Sequence, residues 1–150
     1  MEPKIILLVD DNPDDQELTR IAFAKCAIPH ELVVVRDGAE ALDYLFGVDE
    51  RGGRRLRMPP SLILLDLNMP KVNGHEVMER IRSDEQTKLL PVIILTSSRE
   101  VRDIAQGYQL GVNSYIRKPV DFDQFTEVVR QIGLYWLALN EPPPVPGLEK

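Results

Sequence analysis

The chain has 150 residues, of which 43% are hydrophobic and 28% charged, a composition typical of one globular domain. Its net charge of −6 argues against nonspecific binding to nucleic acid, which needs a basic surface, so no DNA partner is expected. Its longest aliphatic run, at 5–9, is far below the ~20 residues of a membrane span, so no membrane segment is expected. The single cysteine, Cys26, excludes an internal disulfide and favours a reducing compartment. Because the amino terminus also lacks a secretory pattern, we expect a cytoplasmic protein.

Short apolar runs bounded by polar, Gly or Pro residues predict five buried strands. They lie at 5–9, 32–35, 62–65, 92–95 and 114–116. Segments with helical spacing follow each of them. The order βαβαβαβαβα indicates an α/β fold with a doubly wound, five-stranded parallel sheet and helices on both faces.

The first three helices have recognisable starts. Asn12 can cap the first helix, with Pro13 at its first position, and Asp37 can cap a second helix that stops at Gly47. Asn73 can open the third. The residues predicted to face inward are Leu18, Ile21, Ala22, Cys26, Ala41, Leu42, Leu45, Phe46, Val77, Met78 and Ile81.

The last two helices are predicted from similar signals. Ser97 or Ser98 can cap the fourth helix, Gly111 can terminate it, and Asp121 can cap the fifth. The residues predicted to face inward are Val101, Ile104, Ala105, Leu110, Phe122, Phe125, Val128, Val129, Ile132, Trp136 and Leu139.

Two segments have the composition of irregular chain. Residues 47–60 are rich in Gly, Arg and Pro and predict a surface loop inserted before the third strand. Its arginines, a solvated charge run by this interpretation, are Arg51, Arg54, Arg55 and Arg57. Residues 141–150 form a Pro-rich tail, extended or disordered, which leaves 1–140 as the domain.

Polar residues follow four of the predicted strands directly. Asp10 and Asp11 follow the first, Asp66 the third, Thr96 ends the fourth and Lys118 follows the fifth. The carboxyl ends of parallel strands meet at one edge of a sheet, so these side chains are expected to converge. Three carboxylates repel one another unless a hard cation such as Mg²⁺ binds between them. The alternative is that the aspartate pair only starts a loop and caps a helix.

The same residues can handle a phosphoryl group. Asp66 can attack phosphorus to give an aspartyl phosphate, while Thr96 donates to one phosphoryl oxygen and Lys118 pairs with another. Taken singly, Thr96 can instead be a strand-end residue whose hydroxyl bonds the backbone, and Lys118 can be an ordinary surface lysine. Because X–Pro bonds are cis in only ~5–6% of cases, the default for Lys118–Pro119 is trans.

Five separated motifs together resemble the receiver domain of bacterial two-component response regulators. They are VDD at 9–11, LLDLNMP at 64–70 with Gly74 downstream, ILTSS at 94–98 and YIRKP at 115–119. The resemblance implies a flavodoxin-like (βα)₅ fold and phosphorylation of Asp66 by a sensor histidine kinase. It also implies Mg²⁺ bound directly by Asp11, Asp66 and the backbone carbonyl of Asn68, with Asp10 acting through a water.

The resemblance extends to the switch and the output. It implies that Thr96 and Lys118 contact the phosphoryl group, that Lys118–Pro119 is cis, and that Tyr115 turns inward with Thr96 on phosphorylation. A receiver of this kind is a phosphoacceptor switch, not a conventional enzyme, and signals through a downstream partner or by onward phosphotransfer.

The insert and the carboxyl-terminal segment YWLALNEPPP, at 135–144, are similar to those of small single-domain regulators that partner phytochrome histidine kinases. Such regulators are often dimers through the fourth helix, fifth strand and fifth helix. Tyr135 and Trp136 suit such an interface, since aromatic residues are enriched there. The alternative is that Trp136 closes the core of the monomer.

Two other functions compete with the receiver hypothesis. An aspartyl-phosphate phosphatase needs a general acid two residues after its nucleophile, and Asn68 at that position cannot transfer a proton. A binding module with a decayed pocket would not need to keep Asp66, Thr96 and Lys118 together.

Overall fold

The computed structural model describes residues 4–56, 58–69 and 72–144. The strands are β1 (Lys4–Val9), β2 (His30–Val35), β3 (Leu62–Leu65), β4 (Val92–Thr96) and β5 (Ser114–Arg117). The α-helices are α1 (Pro13–Ala24), α2 (Gly38–Phe46), α3 (Gly74–Arg82), α4 (Val101–Gln109) and α5 (Phe122–Gly133). The strands form one parallel sheet in the order β2-β1-β3-β4-β5, which confirms the predicted fold class. Within the described ranges, no helix has the length and apolar character that crossing a bilayer requires.

The core lies on both faces of the sheet, as alternation along its central strands requires. On one face, Leu8 of β1 packs with Phe23 of α1 and Val129 of α5. On the other face, Leu7 packs in a second cluster with residues of α2 and α3, including Met78. The polar residues at the ends of β1, β3 and β4 are therefore carried by strands whose side chains are buried on both faces of the sheet.

Four helix starts are capped as the sequence predicted. Asn12, Asp37, Asn73 and Asp121 each accept backbone N–H bonds from the first turn of the following helix, at 2.7–3.2 Å. These bonds satisfy donors that have no partner within the helix. They also fix where the chain turns after four of the five strands.

The start of α4 differs from the prediction. Ser98 does not cap the helix, because its hydroxyl donates to the Asp103 carboxylate at 2.6 Å. The chain stays extended through Glu100, which makes no side-chain cap bond, and the helix begins at Val101. Gly111, with φ of 95°, ends the helix in the left-handed conformation that glycine favours, as predicted.

The predicted inner face of α4 is also wrong in part. Val101 is 81% exposed and Ala105 is exposed, whereas Gly107 is the buried residue of this helix. A side chain at Gly107 would meet Ile94 of β4 at 2.9 Å, so the helix lies close against the sheet there. Close approach at one glycine leaves α4 with few buried side chains.

The end of the last helix is wound differently from the prediction. A π-helical segment, Leu134–Leu139, follows α5 directly. Its bonding over five residues breaks the α-helical period on which the prediction rested. Leu137 is therefore buried, whereas Leu139, predicted to face inward, is 66% exposed. Trp136 packs partly buried against the core, and Phe122 at the other end of α5 is half exposed.

The insert contains no helix or strand in its described residues, 47–56 and 58–60, as predicted, but it is not a free loop. An isolated antiparallel bridge joins Val48 to Arg54. Arg54 pairs with Asp84 beyond α3, and Arg55 pairs with Asp43 of α2 at 2.7 Å. These contacts correct the interpretation of the arginines as only solvated. Arg57 and tail residues 145–150 lie outside the described residues.

Arg82, the last residue of α3, ties three parts of the chain together. Its guanidinium donates to the carbonyls of Lys88, Leu90 and Gly111 and to the side chain of Asn113, at 2.8–3.0 Å. Burial lowers the pKa of Arg82 from its usual value, but the group remains charged. The planar fork can satisfy several carbonyls at once, which lysine cannot do.

We expect Arg82→Ala to lower the free energy of unfolding by about 2 kcal/mol, because it removes the donor of four acceptors, one of which is the carbonyl of the buried Leu90. Urea denaturation measures this change. Arg20→Ala is the matched control, since Arg20 makes only a surface pair with Glu17 and should change stability by less than about 0.5 kcal/mol. Equal losses in the two variants would contradict a structural role for the Arg82 fork.

Candidate functional site

The predicted site residues converge at the carboxyl edge of the sheet. Asp10, Asp66 and Thr96 are buried where β1, β3 and β4 end, and Lys118 reaches them from the end of β5. Lys118 and Asp10 are 108 positions apart in the chain yet their side chains bond at 2.8 Å. The strand-end placement predicted from the sequence therefore brings these four side chains together.

Lys118 is the centre of the site. Its Nζ donates to Oδ2 of Asp10 and of Asp15 at 2.8 Å each and to Oδ2 of Asp66 at 2.9 Å. The lysine side chain is only 8% exposed. An ammonium has three N–H donors, so all three are used on carboxylates.

Asp15 also belongs to the site, although no sequence pattern indicates it. It follows Pro13 and Asp14 in the first turn of α1, where an acidic residue is explained by the positive end of the helix dipole. No local signal distinguishes it from its neighbour Asp14, because the contact with Lys118 spans 103 positions. The connection from β1 to β2 through α1 brings this carboxylate to the site.

The charges of the site perturb one another. Burial raises the pKa of Asp10, and Lys118 only partly offsets that effect. Burial alone would lower the pKa of Lys118, but the carboxylates of Asp66 and Asp10 outweigh it and raise that pKa well above its usual value. Lys118 is therefore charged throughout the physiological range.

The remaining oxygens of the buried carboxylates are also bonded. Thr96 Oγ1 donates to Asp66 Oδ1 at 2.8 Å, and the backbone N–H of Asn68 donates to the same oxygen at 3.2 Å. The backbone N–H of Asn12 donates to Asp10 Oδ1 at 3.0 Å. At Gly74 an added side chain would come within 2.6 Å of the Asp66 carbonyl, so α3 starts directly against the backbone of this residue.

The acidic residues fit a divalent cation. One oxygen from each of Asp10, Asp11 and Asp66 lies within 4.8 Å of the others. Asp11 is exposed, and beside it lies a cavity of about 480 Å³ that Asn68 and Asp103 also line. Hard oxygen donors next to an open polar cavity suit Mg²⁺ or Mn²⁺, which keep several waters when bound. Asn68 is exposed at this edge, and its predicted role as a carbonyl ligand stays a prediction.

Tyr115 is joined to the site through the loop after β4. Its hydroxyl donates to the backbone carbonyl of Ser98 at 3.0 Å, and its ring packs against the core. Ser98 in turn bonds Asp103 of α4 and follows Thr96 by two residues. A change at Thr96 therefore has a short bonded route to Tyr115 and α4.

The Lys118–Pro119 bond is trans. This corrects the cis geometry that the family resemblance implied and agrees with the default for X–Pro bonds. The three bonds of Lys118 to carboxylates are made in this trans arrangement.

A five-stranded parallel sheet whose edge presents an acidic triad, a hydroxyl and a lysine defines the class of phosphoacceptor switches with a flavodoxin-like fold. The family described as the response regulator receiver domain matches residues 6–130. The chain belongs to this family, and its role is that of a phosphoacceptor in two-component signalling.

Three of the similar proteins match this chain over most of their own length. The probable methanogenesis regulatory protein FilR2 of Methanothrix harundinacea is 42% identical over 95% of this chain and 89% of its own. The phosphorylated cyanobacterial phytochrome response regulator RcpA has a TM-score of 0.86 and 41% identity, over 95% of this chain and 99% of its own. The Mn²⁺-bound form of response regulator Rcp1, known from Synechocystis, has a TM-score of 0.85 and 36% identity, over 95% of this chain and all of its own.

Proposed function

We propose that this protein is a single-domain response regulator that accepts a phosphoryl group on Asp66 from a phosphohistidine of a sensor histidine kinase. The supporting observation is that the buried Asp66 carboxylate is bonded by both Lys118 and Thr96 and lies next to Asp11. A carboxylate oxygen of Asp66 forms the new bond to phosphorus while the bond from histidine nitrogen to phosphorus breaks. The released imidazole takes up a proton. Residues 1–140 would form the receiver domain and 141–150 the tail.

Asp10, Asp11 and Asp66 would hold Mg²⁺, together with the carbonyl of Asn68. A metal ion held there would supply positive charge to neutralise phosphoryl oxygens. Lys118 is placed to pair with a further phosphoryl oxygen, since it already donates to Asp66 at 2.9 Å. Thr96 can donate to another after its hydroxyl leaves the Asp66 carboxylate. In this way the two side chains that now donate to the free carboxylate, Lys118 and Thr96, each find an acceptor on the phosphoryl group.

The output would run through Thr96, Tyr115 and α4. When the hydroxyl of Thr96 turns toward a phosphoryl oxygen, the loop that carries Ser98 moves with it. Tyr115 and Asp103 are both bonded to Ser98, so this movement reaches α4. Exposed apolar residues on that helix then present a changed surface to a downstream protein, or the phosphoryl group passes onward.

The proposed kinase is of the phytochrome type. RcpA is described as a phytochrome response regulator and matches 95% of this chain. FilR2, at similar identity, is named for regulation of methanogenesis, so similarity at this level does not by itself identify the kinase. Transfer from such a kinase would take place in the cytoplasm.

We also propose a homodimer through α4, β5 and α5. Val101, Ala105 and Tyr108 are exposed at i, i+4 and i+7 of α4 and so share one face of the helix. Phe122 at the start of α5 is half exposed. Tyr135 is also half exposed, whereas Trp136 packs against the core and contributes less to such an interface.

The proposed function predicts one acid-labile phosphoryl adduct when the protein is incubated with Mg²⁺ and acetyl phosphate. Intact-mass spectrometry followed by peptide mapping measures the adduct and its position. The adduct should be absent when EDTA replaces Mg²⁺, because the metal ion is needed to neutralise the phosphoryl oxygens. Absence of an adduct under both conditions, and also with a phytochrome-type kinase as donor, would contradict the proposal. Catalytic turnover of a small phosphoester would instead favour the phosphatase alternative.

A further inference from the structure

Asp15 contributes a carboxylate to the site without belonging to the group that can share a metal ion. Its Oδ2 lies 2.8 Å from Lys118 Nζ, and its side chain is 23% exposed. The three aspartates whose oxygens cluster are Asp10, Asp11 and Asp66. Asp15 is therefore a partner of the lysine alone.

Asp10 and Asp66, the other two partners of Lys118, are also the carboxylates that would bind a metal ion. Both are buried, and both are bonded to the ammonium. A cation that binds them must compete with Lys118 for the same oxygens. It also meets the repulsion of the Lys118 ammonium, which lies 2.8 Å from the Asp10 carboxylate and 2.9 Å from the Asp66 carboxylate.

Asp15 relieves both effects because of its position. It offers Lys118 an acceptor on the α1 side of the site, away from the shared carboxylates. Its negative charge also reduces the repulsion between the Lys118 ammonium and an approaching cation. When the two shared carboxylates turn toward a metal ion, the Lys118–Asp15 pair remains and the lysine does not become a buried charge without a partner.

We propose that Asp15 is a positioning residue that holds Lys118 aside, so that a divalent cation can take Asp10 and Asp66. This inference rests on the proposed function. Without Asp15, Lys118 binds the two shared carboxylates more tightly and its charge is less offset. Both consequences weaken metal binding, so each of them raises the dissociation constant of the cation.

The chain provides a matched control for this role. Asp14 is the neighbour of Asp15 in the first turn of α1 and is exposed. Asp14→Asn and Asp15→Asn make the same charge change at the same helix terminus and keep the side-chain volume. They differ in whether the carboxylate contacts Lys118. Any effect of net charge or of the helix dipole is therefore common to both variants.

Titration calorimetry with Mg²⁺ tests the inference without a kinase. We expect Asp15→Asn to raise the Mg²⁺ dissociation constant about three- to tenfold, the range for one charge several ångströms from a divalent ion at high effective dielectric. Asp14→Asn should change it less than about twofold, because that carboxylate is solvated and screened. The Mg²⁺ concentration for half-maximal phosphorylation by acetyl phosphate should rise by the same factor as the dissociation constant. In Asp14→Asn the rate at saturating Mg²⁺ should stay within about twofold of the wild type, since its exposed carboxylate is not bonded to Lys118.

The outcomes separate this inference from the function on which it rests. Equal dissociation constants for the two variants would overturn the positioning role even if Asp66 is phosphorylated normally. A wild-type chain that binds Mg²⁺ but never forms an adduct would overturn the proposed function, and with it the role of Asp15 in that function. A fall in the saturating rate of Asp15→Asn, with unchanged Mg²⁺ affinity, would overturn the inference as well.

Discussion

Asp66→Asn abolishes the acid-labile adduct formed with acetyl phosphate and Mg²⁺, if Asp66 is the acceptor. An amide oxygen is too weak a nucleophile to attack phosphorus, so labelling should fall below the limit of detection by intact-mass spectrometry. The fold should persist, because asparagine can still accept the bonds from Thr96 and from the Asn68 N–H that Asp66 now accepts. Removing one of several crowded carboxylates also relieves repulsion, and the free energy of unfolding should stay equal or rise.

Asp37→Asn is the control for this change. Asp37 also follows a strand at the carboxyl edge of the sheet, but it caps α2 and takes no part in the site. Asparagine caps helices as well as aspartate, so this variant should be phosphorylated like the wild type. An acid-stable label retained by Asp66→Asn would place the acceptor on another residue type and would contradict the assignment.

Lys118→Met should be the most destabilising single change at the site. It removes the cation that Asp10, Asp15 and Asp66 share and leaves two of these carboxylates buried without it. Removing one partner of a buried ion pair lowers the free energy of unfolding by about 3 kcal/mol. We expect a loss of that size at pH 7.5 without Mg²⁺. Urea denaturation measures it. Lys88→Met, which breaks only the exposed pair with Glu85, should cost less than about 0.5 kcal/mol.

The loss in Lys118→Met should depend on pH and on metal. The pKa of Asp10 is already raised in the folded chain, so protonation of this group favours folding at low pH, and that gain disappears as pH rises through the folded pKa. Without Lys118 the pKa rises further. The deficit relative to wild type should therefore shrink as pH falls toward 5 and should shrink at pH 7.5 when Mg²⁺ is added. A deficit independent of both would show that the lost lysine packing, not its charge, matters.

The parts of the fold that could be predicted are those with local causes. Asn12, Asp37, Asn73 and Asp121 cap helices through bonds to residues two or three positions away, so short sequence patterns contain the whole interaction. The site residues were predictable for a different reason. A parallel sheet places every strand end at one edge, so residues such as Asp66 and Lys118 converge once the strands are recognised.

The parts that could not be predicted depend on contacts between distant residues. Ser98 is a good capping residue by its local sequence, but Asp103 takes its hydroxyl and the helix begins later. The π-helical segment displaces Leu139 from the core in favour of Leu137, which no α-helical period can indicate. Asp15 has the local sequence of an ordinary acidic residue at a helix terminus. It belongs to the site because it bonds Lys118, which lies 103 positions away in the chain.

The close seating of α4 on Gly107 has a consequence for how this protein can diverge. Since the helix buries little besides that glycine, substitutions at positions such as Val101 and Tyr108 change folding energy little. Selection can therefore alter this surface for a new partner while the phosphoacceptor edge and the sheet stay intact. Separating the residues that fold the domain from those that meet other proteins lets one scaffold acquire many outputs by mutation of a single helix.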